Sequence, residues 1–414
     1  MTRPIVDLTD PDRFVRQEHH AMLAWLREND PVHWHETGQD GAGFWALTGY
    51  EDISQVYLDH TGFSSESGPM LGGSFRSEKD PSAGLMMVAT DLPRHRMIRQ
   101  QLHWAFSQDM LRKVAEQVTR LVTAALERAL ADGGCDFSTD VATELPAGAV
   151  MAITGVSYQD AHELIGMTRR MIGFRDPHFG DPAEDERLVL AMTQADIFEF
   201  FAEVLRARRK NPGPDLVSRL LKAEMNGRAW TEDEILYNCM NIAVGGNETS
   251  SYTACSGLEA LIGHPGQYAE LRQEPRLLDS AVNEILRWSS TNLYVRRGAL
   301  RDVEIGGRMI RSGDVVTLWN ASANRDAKQF TDPETFDLAR TPNRHLSYGA
   351  GLHRCIGAML AQTELSVLFR ALADLPVTAA LSGPVQRLRS NFINGTVSLP
   401  VTFHGLGGTG GRSR

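Results

Sequence analysis

HLSYGAGLHRCIGAMLA, residues 345–361, is the stretch on which the reading of this 414-residue chain turns. Cys355 stands after a loop carrying Gly349 and Gly351 and just before an alanine- and leucine-rich run that reads as a helix. A thiolate there is stabilised by the backbone N–H groups and positive dipole end of the helix, and His353 and Arg354 add positive charge beside it. Gly357, having no Cβ, lets a flat ligand approach the backbone. Three plainer readings compete. An isolated cysteine is most often a small buried hydrophobe. Gly349-x-Gly351 begins a dinucleotide fingerprint, but the third glycine it needs falls at Arg354. A zinc site wants several cysteine or histidine ligands at close spacing, and His353 and Cys355 stand almost alone.

Composition narrows the class. With 42% hydrophobic residues and no break in composition, the chain suits one large domain, expected over residues 1–405, with 406–414 as a disordered tail. The longest uncharged run near the middle, Leu145 to Gln159, is too short and too polar to span a membrane. The first residues, MTRPIVDLTDPDRF, carry acids and prolines where a signal peptide needs an apolar core, so a cytoplasmic protein is expected. Cys135, Cys239, Cys255 and Cys355 lie far apart without a CxxC, against a disulfide framework. The net charge of −10 argues against nucleic acid as a partner.

Along the chain, residues 32–35 and 43–48 read as a β-hairpin around Thr37 to Gly41. Residues 61–90 form a long Gly-, Ser- and Pro-bearing stretch whose Met86, Met87 and Val88 could line a pliable lid. Pro93 opens a helix that puts His95 and Arg99, four apart, on one face. Helices are expected over 108–131, 144–155, 158–173 and 184–210, the last stopped by Asn211-Pro-Gly-Pro.

The second informative stretch starts at the capping box Thr231-x-x-Glu234, which opens a helix running to about Ile262. Gly245 and Gly246 near its middle cost about 1 kcal/mol each against alanine and need a reason. Close packing would explain one. Followed at once by Glu248 and Thr249, the pair reads better as a loosened turn opening a groove. A third stretch, Glu284-Ile-Leu-Arg287, sets a carboxylate and a guanidinium three apart on a helix, ordinarily a weak surface pair.

Taken together, these stretches resemble the cytochrome P-450 family. Tyr348-x-x-Gly351-x-His353-x-Cys355-x-Gly357 is similar to its haem-binding loop, with Tyr348 where the family has Phe; the phenol hydroxyl needs a partner, and the Cys355 sulfur is one candidate. The segment at Gly245–Thr249 is similar to its oxygen-binding motif, and Glu284-x-x-Arg287 to its Glu-x-x-Arg, with Arg340 as the second arginine.

The resemblance implies a mainly α, single-domain fold with small β-sheets, haem b lying between the long helix and the helix after Cys355. It makes Cys355 the iron ligand, with His95, Arg99, Arg297 and His353 toward the propionates and Glu248 and Thr249 supplying protons for monooxygenation. By position the substrate pocket draws on Met86, Met87 and Val88; on Asn241, Val244, Gly245 and Asn247; on Asn292, Leu293 and Tyr294; and on Phe392 and Ile393. A ferredoxin with its reductase is the implied electron donor, which Arg112, Lys113, Arg344 and Arg354 could attract. The substrate, free or carrier-tethered, is expected to be a medium or large polyketide- or peptide-like natural product. The alternatives are peroxide-driven or oxygen-independent chemistry on the same fold, which the retained Glu248–Thr249 pair disfavours, and a non-catalytic haem-thiolate sensor.

Overall fold

The computed structural model describes residues 4–37, 42–71, 79–181 and 184–405. Ten of its helices and a five-stranded sheet place the site. The helices are α1 (His19–Asn29), α2 (Tyr50–Leu58), α3 (Arg94–Leu102), α4 (Gln108–Ala131), α5 (Glu144–Thr154), α6 (Tyr158–Ile172), α7 (Glu186–Lys210), α8 (Glu232–Gly263), α9 (Leu278–Ser289) and α10 (Ala358–Asp374).

Local chemistry sets their limits. Ser107 accepts from the Met110 N–H to start α4, and Gly155, left-handed at φ 68°, ends α5. On α4 the buried side chains Met110, Val114, Val118, Leu121 and Ala125 recur every three or four residues and make one apolar stripe. That stripe packs on α5, where a Cβ at Gly148 would stand 2.7 Å from Val118, so the glycine permits the approach. The capping box of Thr231 and Glu234 opens α8, whose 32 residues span about 48 Å. Helix α8 is buried on most sides and packs against α5, α6, α7, α9 and α10.

The sheet runs β1 (Val32–Glu36), β2 (Gly43–Leu47), then β5 (Val315–Leu318), β4 (Val295–Ala299) and β3 (Phe63–Ser64), in that spatial order. β1 and β2 form the antiparallel hairpin, with Trp34 opposite Trp45. Residues 38–41 of its turn lie outside the described residues. β5 lies parallel to β2 and antiparallel to β4, where Arg297 faces Val316. A Val- and Ile-rich cluster fills the space between this sheet and α2.

Two expectations change. The helix expected from residue 184 begins at Glu186, after Asp185 has capped it. Gly245 and Gly246 do not loosen a turn of α8, which is helical from end to end. Residues 406–414, expected as a disordered tail, lie outside the described residues, which end on a strand, Pro400–Gly405. Among the described residues no helix is long and apolar enough to cross a membrane.

Helix α9 carries the Glu284–Arg287 pair, and the pair is not on the surface. Both side chains are fully buried, joined by two bonds of 2.7 and 2.8 Å. Arg340 approaches the same carboxylate at 3.1 Å, and the Asp337 N–H and Asn343 amide complete its shell. The two arginines spend their remaining donors on the carbonyls of Asn324, Thr331, Pro333 and Thr335, binding the stretch that leads to the cysteine loop. Every charge here has partners, the condition under which a buried ion network holds.

Candidate active site

The loop before Cys355 is shaped by two left-handed glycines, Gly349 at φ 61° and Gly351 at φ 67°. A Cβ at Gly351 would stand 2.3 Å from the Tyr57 carbonyl oxygen on α2, so no other residue fits. The loop closes with the Cys355 N–H donating to the Tyr348 carbonyl at 2.9 Å. Cys355 is exposed although protein surrounds it on nearly every side, so its sulfur opens onto an interior recess. Burial pushes the thiol up; the Gly357 N–H, then Arg99 and Arg354, pull it back. At Gly357 a Cβ would lie 3.9 Å from the sulfur.

Four nitrogen bases gather beside the sulfur. The rings of His95 on α3 and His353 lie 4.2 Å apart, Arg99 is one turn beyond His95, and Arg297 reaches in from β4. Burial first, then neighbouring positive charge, lowers His95 to about 4 and His353 to about 2. It also lowers Arg99 and Arg297. Among the described residues none of the four forms an ion pair with a carboxylate, and neither ring nitrogen of His95 has a hydrogen-bond partner. Asp91, whose charge His95 and Arg297 feel, is occupied by Ser64 and Ser65. Such a cluster suits a ligand that brings carboxylates of its own.

On α8, Gly245 is exposed in mid-helix, and a Cβ at either glycine would meet nothing within 4 Å. The glycines therefore open space beside an intact helix. Thr249 Oγ1 donates to the Gly245 carbonyl at 2.8 Å. Glu248 points elsewhere: it is buried and accepts from Thr168 of α6 at 3.1 Å. Its other oxygen lies 3.5 Å from Arg169 Nε. Burial raises its pKa, and Arg169 opposes the rise.

The expected pocket residues divide. Met86, Val88, Asn241, Val244 and Phe392 keep partial exposure, and Asn241 Oδ1 has no partner. Asn247 is buried, and its amide donates to Thr168 Oγ1 at 3.1 Å. Leu293 and Tyr294, expected on the wall, are fully enclosed, Tyr294 lying 4.8 Å from Trp319 between ring centroids. Ile393 is buried in a small cluster with Tyr252 and Leu388, Met87 is buried in the main core, and Asn292 accepts from Asn320 at 3.4 Å. The Tyr348 hydroxyl is buried without a partner and does not bond the Cys355 sulfur. Of the basic residues expected to attract a donor, Arg112 is paired with Asp109.

Two residues went unnoticed in the sequence. Glu364 on α10 is buried and accepts from Ser250, the residue after Thr249, and burial raises its pKa to about 7. A lone acid in the apolar run LAQTELSVLF was the available signal. Asn238, fully buried on α8, bonds the segment that carries Met86 and Met87; an asparagine inside a helix, where it is a weak former, was the clue.

Comparison with known proteins gives a consistent result. The family profile "Cytochrome P450", here cytochrome P-450, matches residues 16–372. Linalool 8-monooxygenase of Pseudomonas putida is 34% identical over 97% of this chain and 99% of its own length. Cytochrome P-450 NovI of Streptomyces niveus is 31% identical over 97% of each chain. Among solved structures, OxyD, involved in the biosynthesis of vancomycin-type antibiotics, superposes with a TM-score of 0.87 at 36% identity, covering 97% of this chain and 100% of its own. CYP268A2 of Mycobacterium marinum, in complex with pseudoionone, gives 0.88 at 29% identity, over 97% and 99% of the two chains.

Proposed function

This chain belongs to the cytochrome P-450 family and is a monooxygenase, and from that premise we propose that it hydroxylates or epoxidises a medium or large organic molecule. Haem is the family's cofactor, and the residues present fit it. A sulfur donor opens onto a recess, four bases, of which His95 and Arg297 are buried, have no carboxylate partner among the described residues, and the backbone beside the sulfur has no Cβ at Gly357. We assign haem b, with Cys355 as its ligand and His95, Arg99, Arg297 and His353 toward its carboxylates. The cluster of bases around Cys355 is the observation that carries this reading. When bound through a thiolate, haem activates dioxygen, the sulfur's electron donation favouring O–O cleavage.

The chain's own groups order the protons. The Thr249 hydroxyl, held toward the opening at Gly245, positions a water there. Glu248, buried between α8 and α6, exchanges protons when it leaves Arg169. The peptide part of a natural product, or a polyketide, suits a recess with partly exposed Met86, Val244 and Phe392 beside the unpaired Asn241 amide. OxyD's role in antibiotic biosynthesis supports that substrate class. Electrons come from a redox partner; we assign a ferredoxin and its reductase, in the cytoplasm, acting on one domain that spans residues 1–405.

The test is direct. The purified protein is expected to be red, its reduced carbon monoxide complex to show the strongly red-shifted Soret band of thiolate-bound haem, and Cys355→Ala to lose that band. A substrate screen following displacement of the Soret band, then turnover with a ferredoxin system, separates enzyme from sensor: binding without product would overturn the monooxygenase reading.

A further inference from the structure

The segment from Ser82 to Thr90 lies along the first half of α8, and one side chain of that helix grips it. Asn238 Nδ2 donates to the Leu85 carbonyl at 2.8 Å and to the Glu234 carbonyl at 2.7 Å, while Oδ1 accepts the Met87 N–H at 3.0 Å. Both ends of the carboxamide are used, and the side chain is wholly buried. Leu85 and Met87 are thus paired as a neighbouring β-strand would pair them. Arg94 adds a second tie: it bonds the Gly84 carbonyl and Glu234, which Arg228 also holds at 2.7 Å. Within the segment, Thr90 Oγ1 donates to the Met86 carbonyl at 2.7 Å. The result leaves Met86 and Val88 partly exposed while Met87 is buried in the core.

Geometry connects this grip to the oxygen side of the site. Asn238 and Gly245 are seven residues apart on one unbroken helix, nearly two turns, so they share a face about 10 Å apart. Two other asparagines near the site do different work. Asn247 is committed to Thr168 and Asn292 accepts from Asn320. Leucine in place of Asn238 would bury the Leu85 carbonyl and Met87 N–H unpaired, a cost that would drive the segment off α8.

We propose that Asn238 is a positioning residue of the substrate site. It latches the Met86–Val88 wall to α8 and so governs how readily ligands pass that wall. The inference rests on the reading that this wall bounds the substrate recess; the latch itself is independent of it.

Amide hydrogen exchange on Asn238→Ala, followed segment by segment without substrate, tests the latch. Alanine keeps the helix. Exchange across residues 84–90 is expected to rise at least about tenfold while α4 and α9 stay as in the unaltered protein. Asn238→Leu, which fills the volume but cannot pair, provides the second variant should alanine fail to fold. In the reduced holoprotein, carbon monoxide is expected to rebind faster after flash photolysis. Unchanged exchange at 84–90 would overturn the latch, and so would acceleration spread through the whole chain, which would make Asn238 a general core residue. Faster local exchange with unchanged carbon monoxide entry would overturn its role at the site. A holoprotein without the thiolate band would instead defeat the functional reading and leave the exchange result standing.

Discussion

The hydroxyl of Thr249 is tied to the carbonyl of Gly245, 2.8 Å away and one turn back on the same helix. A threonine commonly makes such a bond inside a helix, and here it leaves the lone pairs of Oγ1 free to accept while the donor is engaged. Because neither Gly245 nor Gly246 has a neighbour where a Cβ would be, space for water adjoins that oxygen. In Thr249→Ala the fold, haem content and substrate binding should persist, while electrons consumed from NAD(P)H are diverted to hydrogen peroxide. The ratio of product formed to NAD(P)H oxidised is the measurement. Wild-type coupling in the variant would move the role to Ser250 or to the substrate.

Tyr348 stands where the family has phenylalanine, and its hydroxyl is buried with no partner. An unmade buried hydrogen bond costs about 1–3 kcal/mol. Tyr348→Phe should therefore be more stable, seen as a higher Tm, with its thiolate band unmoved. A less stable variant would show that the hydroxyl is bonded in solution.

Glu284 takes charge from Arg287 and Arg340 together. Glu284→Ala leaves two buried guanidiniums without an anion, a loss of about 3–5 kcal/mol. Denaturant unfolding should show that drop. Because the arginines also hold the stretch from Asn324 to Thr335, haem retention should fall with it.

Glu364 titrates at about 7 in the folded protein, above the usual 4.5, because it is buried. The unfolded chain then holds fewer protons than the native one between those two values. Its contribution to stability is complete below pH 4.5, is lost as pH rises through 7, and amounts to roughly 3 kcal/mol. Glu364→Gln should remove that slope. Stability measured from pH 5 to 8 checks it; an unchanged slope in the variant would assign the titration to another group.

Much of the fold was legible because its boundaries are written in local chemistry. Ser107, the Thr231–Glu234 box and Gly155 each mark a helix end with the residue type that satisfies it. The cysteine loop could be read for the same reason, since its glycines stand at backbone angles other residues avoid. Side-chain direction was the part that could not be read. Glu248 turns to Arg169 and Thr168 on another helix, and Tyr294 turns to Trp319 on a different part of the chain. Nothing next to either residue in sequence announces those partners. Gly245 and Gly246 misled for a related reason: two poor helix formers were read as a loosened turn, whereas the packing of α8 on five helices keeps the helix regular through them.

The close seat of Gly351 on the Tyr57 carbonyl also bears on how the protein is made. Tyr57 leaves the ribosome well before the cysteine loop, and it meets Leu346 in the same apolar cluster and bonds Asn320 at 2.8 Å. The mould for the loop is thus cast from an earlier segment and waits for a later one. Such long-range closure is slow to form, and a chain truncated before residue 345 could build most of its helical wall yet never shape the loop that presents the sulfur. Assembly of the catalytic centre is in this sense a proofreading step: only a chain synthesised past the cysteine loop can complete it.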